Sequence, residues 1–126
     1  RQDNLTLNKL LKSTGQKLAN IKNVYKLDQP PKINLHINSY GGSVFAGFGS
    51  VDYIRNCEVP VVSIIDGCAA SAATIMSVVA EERLIHEHAF MLIHQLSSGM
   101  WGKFEAMKDD MKNNELLMKK IIGIYE

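Results

Sequence analysis

The chain has 126 residues, room for one domain of ordinary size around a single hydrophobic core. Its 46% hydrophobic and 21% charged residues have the balance of a globular protein, which excludes wholesale disorder and fibrous repeats. Lys and Arg number 14 against 13 Asp and Glu, so no surplus of positive charge points to nucleic acid or an anionic membrane surface.

From Leu7 the apolar positions Leu7, Leu11, Thr14, Leu18, Ile21 and Tyr25 recur at the spacing of an amphipathic helix. Asp3, Asn4 and Thr6 are candidate caps for its start, Gly15 weakens its middle, and Pro30-Pro31 ends the helical pattern. Ile33, Leu35 and Ile37 alternate with Asn34, His36 and Asn38, which predicts a strand running into the turn Ser39-Tyr40-Gly41-Gly42. Ser43 then caps a helix of about 14 residues with Val44, Phe48, Val51 and Ile54 on successive turns. The β-branched run Val61 to Ile65 predicts a strand covered on both faces, turned by Asp66-Gly67 into a helix from Ala70 to Ala80. Arg83 to His86 and Ala89 to His94 read as two short strands around a turn at Glu87-His88. Phe104, Met107, Met111, Met118, Ile122 and Tyr125 mark a last helix from Lys103 to Tyr125. The alternation of helices and strands is an α/β pattern with crossovers.

Val59 to Ile65, one of the longest apolar runs, falls far short of the roughly 20 residues that span a bilayer. Arg1 to Leu11 is polar and periodic, unlike the apolar stretch of a signal peptide. Cys57 and Cys68 favour a reducing compartment such as the cytoplasm, with both thiols free and buried.

Three pieces carry chemistry. Ser71 sits in Gly67-Cys68-Ala69-Ala70-Ser71-Ala72-Ala73, where a strand feeds through a glycine into a helix whose first turn holds the serine. A serine there is commonly a helix cap, but this arrangement shares the mechanics of a nucleophile elbow without its GxSxG sequence. Gly41-Gly42 is commonly only a tight turn; it also follows a strand end, where binding crevices lie, and its N–H groups with that of Ala72 are candidate donors to one oxyanion. His94 ends the apolar segment Phe90-Met91-Leu92-Ile93 and is the best candidate base, whereas His36, His86 and His88 read as solvated. His86-x-His88 lacks further ligands nearby, so no metal is expected. Cys68 reads as a small buried residue rather than a reactive thiol.

Ile37-Asn38-Ser39-Tyr40-Gly41-Gly42-Ser43-Val44, Gly67-Cys68-Ala69-Ala70-Ser71 and Met91-Leu92-Ile93-His94-Gln95 together resemble the Clp protease proteolytic subunit (ClpP) family, including its viral relatives. The resemblance implies an α/β fold, the ClpP/crotonase-like spiral of β-β-α units. It implies Ser71 as nucleophile, His94 as general base, and the N–H groups of Gly42 and Ala72 as oxyanion hole. Substrate peptides would lie as an added strand between Ser43, Val44 and Phe45 on one side and Gln95, Leu96 and Ser97 on the other. The region from Leu96 through the last helix resembles the handle that interlocks two heptameric rings. An ATP-driven unfoldase would feed unfolded polypeptides into that chamber, while the subunit itself uses no cofactor, neither ATP nor a metal.

The family's triad acid is an aspartate well beyond the histidine, and the sequence stops at Glu126, so the chain reads as incomplete at both ends. Loss of that carboxylate costs about four orders of magnitude in kcat in a serine protease, so the piece alone is expected to be nearly inactive. Tyr40 and Cys68-Ala69 depart from the centre of the family, which keeps a viral head-maturation protease open. A crotonase-type acyl-CoA enzyme has no use for Ser71 and His94 in these places. A Ser-Lys peptidase is disfavoured because no lysine lies between Lys32 and Lys103. A catalytically silent ring subunit is the remaining alternative.

Overall fold

The structure is a computed structural model and describes residues 2–93, 115–116 and 118–126. Helix α1 spans Gln2–Val24, so Asp3, Asn4 and Thr6 lie inside it rather than capping it. Asn4 is drawn inward instead: its Nδ2 donates to Ser50 Oγ at 2.8 Å and to the Ala46 carbonyl at 3.2 Å. Gly15 does not break the helix, and it lets α1 come close to the segment after α2, since a Cβ there would meet Cys57 Sγ at 2.9 Å. The apolar stripe is buried only where neighbours exist. Leu11 is in the core with Ile54, Val61 and Ala80, while Ile21 and Tyr25 project past it into solvent.

Strand β1, Ile33–Ser39, turns Ile33, Leu35 and Ile37 inward and leaves Asn34, His36 and Asn38 exposed, as its alternation predicts. Helix α2 spans Val44–Arg55 and is capped by Ser43, whose Oγ accepts the Ala46 N–H at 3.3 Å. Strand β2 then runs from Val61 to Ala70. The predicted turn at Asp66-Gly67 is therefore absent. Asp-Gly is a local turn signal, but here the backbone on both sides finds parallel partners, and the pairing with β1 absorbs an irregularity, passing from Ile37↔Ile65 to Ser39↔Ala69.

Helix α3 is short, Ala72–Val78, because Ala70 still belongs to β2 and Ser71 is the junction. Strands β3, Glu82–Ile85, and β4, Phe90–Leu92, do not form a hairpin. Both pair with β2 in parallel, β3 along Val62 to Ile65 and β4 along Cys68 to Ala70. The segment containing Glu87 and His88 thus steps the chain from one stretch of β2 to the next. Among the described residues the three other strands all hydrogen-bond to β2, β1 on one side and β3 and β4 in succession.

Helix α3 is held from two directions. Ala73 packs with Ile37, Ile65 and Ala69 of the sheet, while Ile75 packs with Val51 of α2 and with Ile121. Ile121 belongs to residues 118–125, which are helical as predicted. Phe104, Met107 and Met111 of the predicted last helix lie outside the described residues. Cys57 and Cys68 are free but half-buried rather than fully buried. Among the described residues no helix is long and apolar enough to cross a membrane.

Candidate active site

Ser71 has φ 56° and ψ −124°, one of two non-glycine residues with positive φ among the described residues. Such a conformation costs about 1–3 kcal/mol and persists only where the surroundings impose it. Here a parallel strand ends at Ala70 and a helix starts at Ala72, and a single residue must turn the chain between them. The Ser71 N–H donates to the Leu92 carbonyl at 3.1 Å, which ties the junction to β4. The Ser71 side chain caps nothing, so its hydroxyl is not spent on the helix as a capping serine's would be.

The glycine turn lies against this junction. Gly41 has φ 97°, and a Cβ on it would stand 2.6 Å from the Ala70 carbonyl oxygen, 2.7 Å from Ser71 Cβ and 3.1 Å from the Ala72 nitrogen. Only glycine fits both the dihedral and the gap. The Gly41 N–H is already engaged by Ser39 Oγ at 3.1 Å, leaving its neighbour Gly42 exposed, with open space where a Cβ would be. Ala72 is the first residue of α3, and a helix's first N–H groups have no intrahelical acceptor. The structure thus brings Ser71, Ala72 and the Gly41-Gly42 turn together. The sequence named the glycine pair but not the contact of Gly41 with the serine.

Of the candidate substrate strand, Ser43 commits its hydroxyl to capping α2, Val44 packs on the Val51 and Ile75 cluster, and Phe45 is exposed. His94, Gln95, Leu96 and Ser97 lie outside the described residues. Leu92, two positions before His94, is the residue whose carbonyl meets the Ser71 N–H, so β4 carries the chain to the serine.

Asp66 makes a cluster that the sequence reading missed. His36 Nδ1 lies 2.7 Å from its Oδ2 and His86 Nε2 lies 2.9 Å from its Oδ1. His36 lies on β1, Asp66 on β2 and His86 one residue past the end of β3, where its N–H donates to the Ile65 carbonyl, a juxtaposition that only the register shows. All three side chains are substantially exposed, and pairs of this kind contribute about 0–1 kcal/mol.

A parallel strand, a strained serine and a short helix opening beside a glycine turn define an α/β protein with a sharp strand-to-helix junction at Ser71. The chain belongs to the Clp protease family, whose sequence model matches residues 12–126. It is similar to the ATP-dependent Clp protease proteolytic subunit 1 of Chlamydia muridarum, 39% identical over 93 residues, covering 71% of this chain and 48% of that protein. It is also similar to the ATP-dependent Clp protease proteolytic subunit of Mesostigma viride, 34% identical over 100 residues, covering 78% of this chain and 44% of the relative. A third relative, from Chlorokybus atmophyticus, is 33% identical over 100 residues. The chain spans about half the length of the curated relatives it matches.

Proposed function

We propose that the protein is a serine endopeptidase in which Ser71 is the nucleophile and His94 the general base. The observation that carries this reading is the strained conformation of Ser71, with its hydroxyl not used to cap α3, beside Gly41 and the Ala72 nitrogen. Ser71 Oγ attacks the scissile carbonyl carbon while His94 accepts its proton. The oxygen of the tetrahedral intermediate takes the negative charge and is met by the N–H groups of Gly42 and Ala72. Collapse breaks the C–N bond, His94 returns the proton to the departing amine, and water then hydrolyses the acyl ester by the same route.

The substrate is an extended segment of unfolded polypeptide, lying between Ser43 to Phe45 and Gln95 to Ser97 as an added strand. The subunit works in the cytoplasm within stacked heptameric rings, fed by an ATP-driven unfoldase. Membership of the Clp protease family and the names of the similar proteins support this reading.

The full-length protein is expected to react covalently with a fluorophosphonate probe, and Ser71→Ala to abolish the labelling. Labelling that survives the substitution would remove Ser71 from its role. A full-length protein that is never labelled, in any assembly state, would favour the silent ring subunit instead.

A further inference from the structure

The carbonyl of Ser71 is held by more than the first turn of α3. It accepts the Thr74 N–H at 3.0 Å and the Thr74 hydroxyl at 2.6 Å. Thr74 Oγ1 is in turn hydrogen-bonded to the Tyr125 hydroxyl. Thr74 has one hydroxyl proton, and it goes to the Ser71 carbonyl, so the proton of the second bond comes from Tyr125. A chain of two hydroxyls therefore runs from residues 118–125 through the first turn of α3 to the strained residue. Thr74 is fully buried, so water competes little for its bond to the Ser71 carbonyl, and Tyr125 is half-buried.

A threonine that bonds back to the carbonyl three residues earlier is a common helical habit. Two things set this one apart. Its own oxygen is fixed by a side chain distant in sequence, and the carbonyl it grips belongs to the peptide that joins Ser71 to Ala72. That peptide is planar, with its C=O and N–H antiparallel. Whatever fixes the Ser71 oxygen also fixes the direction of the Ala72 N–H on the opposite side. The ψ of −124° at Ser71 is the torsion that sets this plane.

We propose that Thr74 and Tyr125 are positioning residues that aim the Ala72 N–H at the developing oxyanion. The inference rests on the proposed serine-peptidase reading and adds to it two side chains that touch neither substrate nor nucleophile oxygen. Ile121, buried against Val51 and Ile75, seats the turn that carries Tyr125, so the hydroxyl is presented from a packed element rather than a free end. An oxyanion donor acts on the transition state and not on the bound ground state, so its misalignment lowers kcat and spares KM.

The test uses the full-length, assembled protein and a fluorogenic peptide. Thr74→Val removes the hydroxyl at nearly constant volume, Thr74→Ser restores it, and Tyr125→Phe removes only the outer hydroxyl. Loss of a whole oxyanion donor costs about 10²–10³ in kcat, so a tilted one is expected to cost roughly tenfold in Thr74→Val and less in Tyr125→Phe. KM should stay within about twofold, Thr74→Ser should recover most of the rate, and a peptide boronate should lose affinity in step with kcat. Unchanged kcat in both deletion variants overturns the proposal. So does a loss that tracks thermal stability alone and is not recovered by Thr74→Ser. Tyr125→Phe keeps the ring and its packing, so it decides the matter should Thr74→Val fail to fold. Ser71→Ala in the same assay separates the two levels: if it retains activity the peptidase reading itself falls, and if it is inactive while Thr74→Val is normal only the positioning role does.

Discussion

Ser71 is held in a conformation that serine avoids by contacts on every side: Leu92 on its N–H, Thr74 on its carbonyl, Gly41 against its Cβ. The most exacting of these is Gly41. Alanine there would be strained at φ 97° and would drive a methyl to within 2.6 Å of the Ala70 carbonyl. Gly41→Ala is expected to cost at least about 1–3 kcal/mol, because backbone rather than a flexible side-chain end must shift. It should also slow fluorophosphonate labelling of Ser71 by tenfold or more, of the order that small misplacements of reacting groups cost. A denaturation midpoint and a labelling rate measured on one preparation check both. The serine and the glycine pair were legible in the sequence because strand, turn and helix signals surround them. Thr74 and Tyr125 were not, since nothing local distinguishes a threonine in an alanine-rich helix from a packing residue.

At the scale of elements, the order of helices and strands was readable from periodicity, and the one misread turn has a long-range cause. Asp66-Gly67 signals a turn only while neighbours are ignored, whereas the turn expected at Glu87-His88 is present between β3 and β4. Parallel partners on β2 satisfy the backbone through the first and keep β3 and β4 from pairing across the second. Long-range partners also explain α1. Asn4 and Asn8 are poor residues for a helix interior, yet both reach Ser50, a fully buried residue of α2. Ser50 Oγ accepts from Asn4 and donates to Asn8, so this one hydroxyl docks α1 on α2. Ser50→Ala is expected to destabilise the protein by about 1–3 kcal/mol, the cost of leaving partly buried amides without their partner. Removing Asn4 and Asn8 as well should cost less than the sum of the separate changes, a non-additivity that a double-mutant cycle measures.

For the molecule as a whole, family membership accounts for the order of the motifs, and β3 and β4 leave Leu84, Ile85, Phe90 and Leu92 exposed. The role of β2 has a kinetic consequence. Among the described residues every strand pairing includes β2, and each is parallel, so none of these can be made by a tight local turn and each must first close a loop. The chain is then expected to fold slowly, through a transition state in which β2 has already gathered its partners. Ile65, buried between the sheet and α3, reports on this. Ile65→Val should cost about 0.5–1.5 kcal/mol, and in a stopped-flow chevron the loss should appear mainly as slower refolding with the unfolding limb little changed. A loss confined to the unfolding limb would mean that β2 is completed late. In the first case the strand that presents the serine is also the rate-limiting step of the protein's own making, and changes that tune the site through β2 will be filtered by how fast the chain can fold.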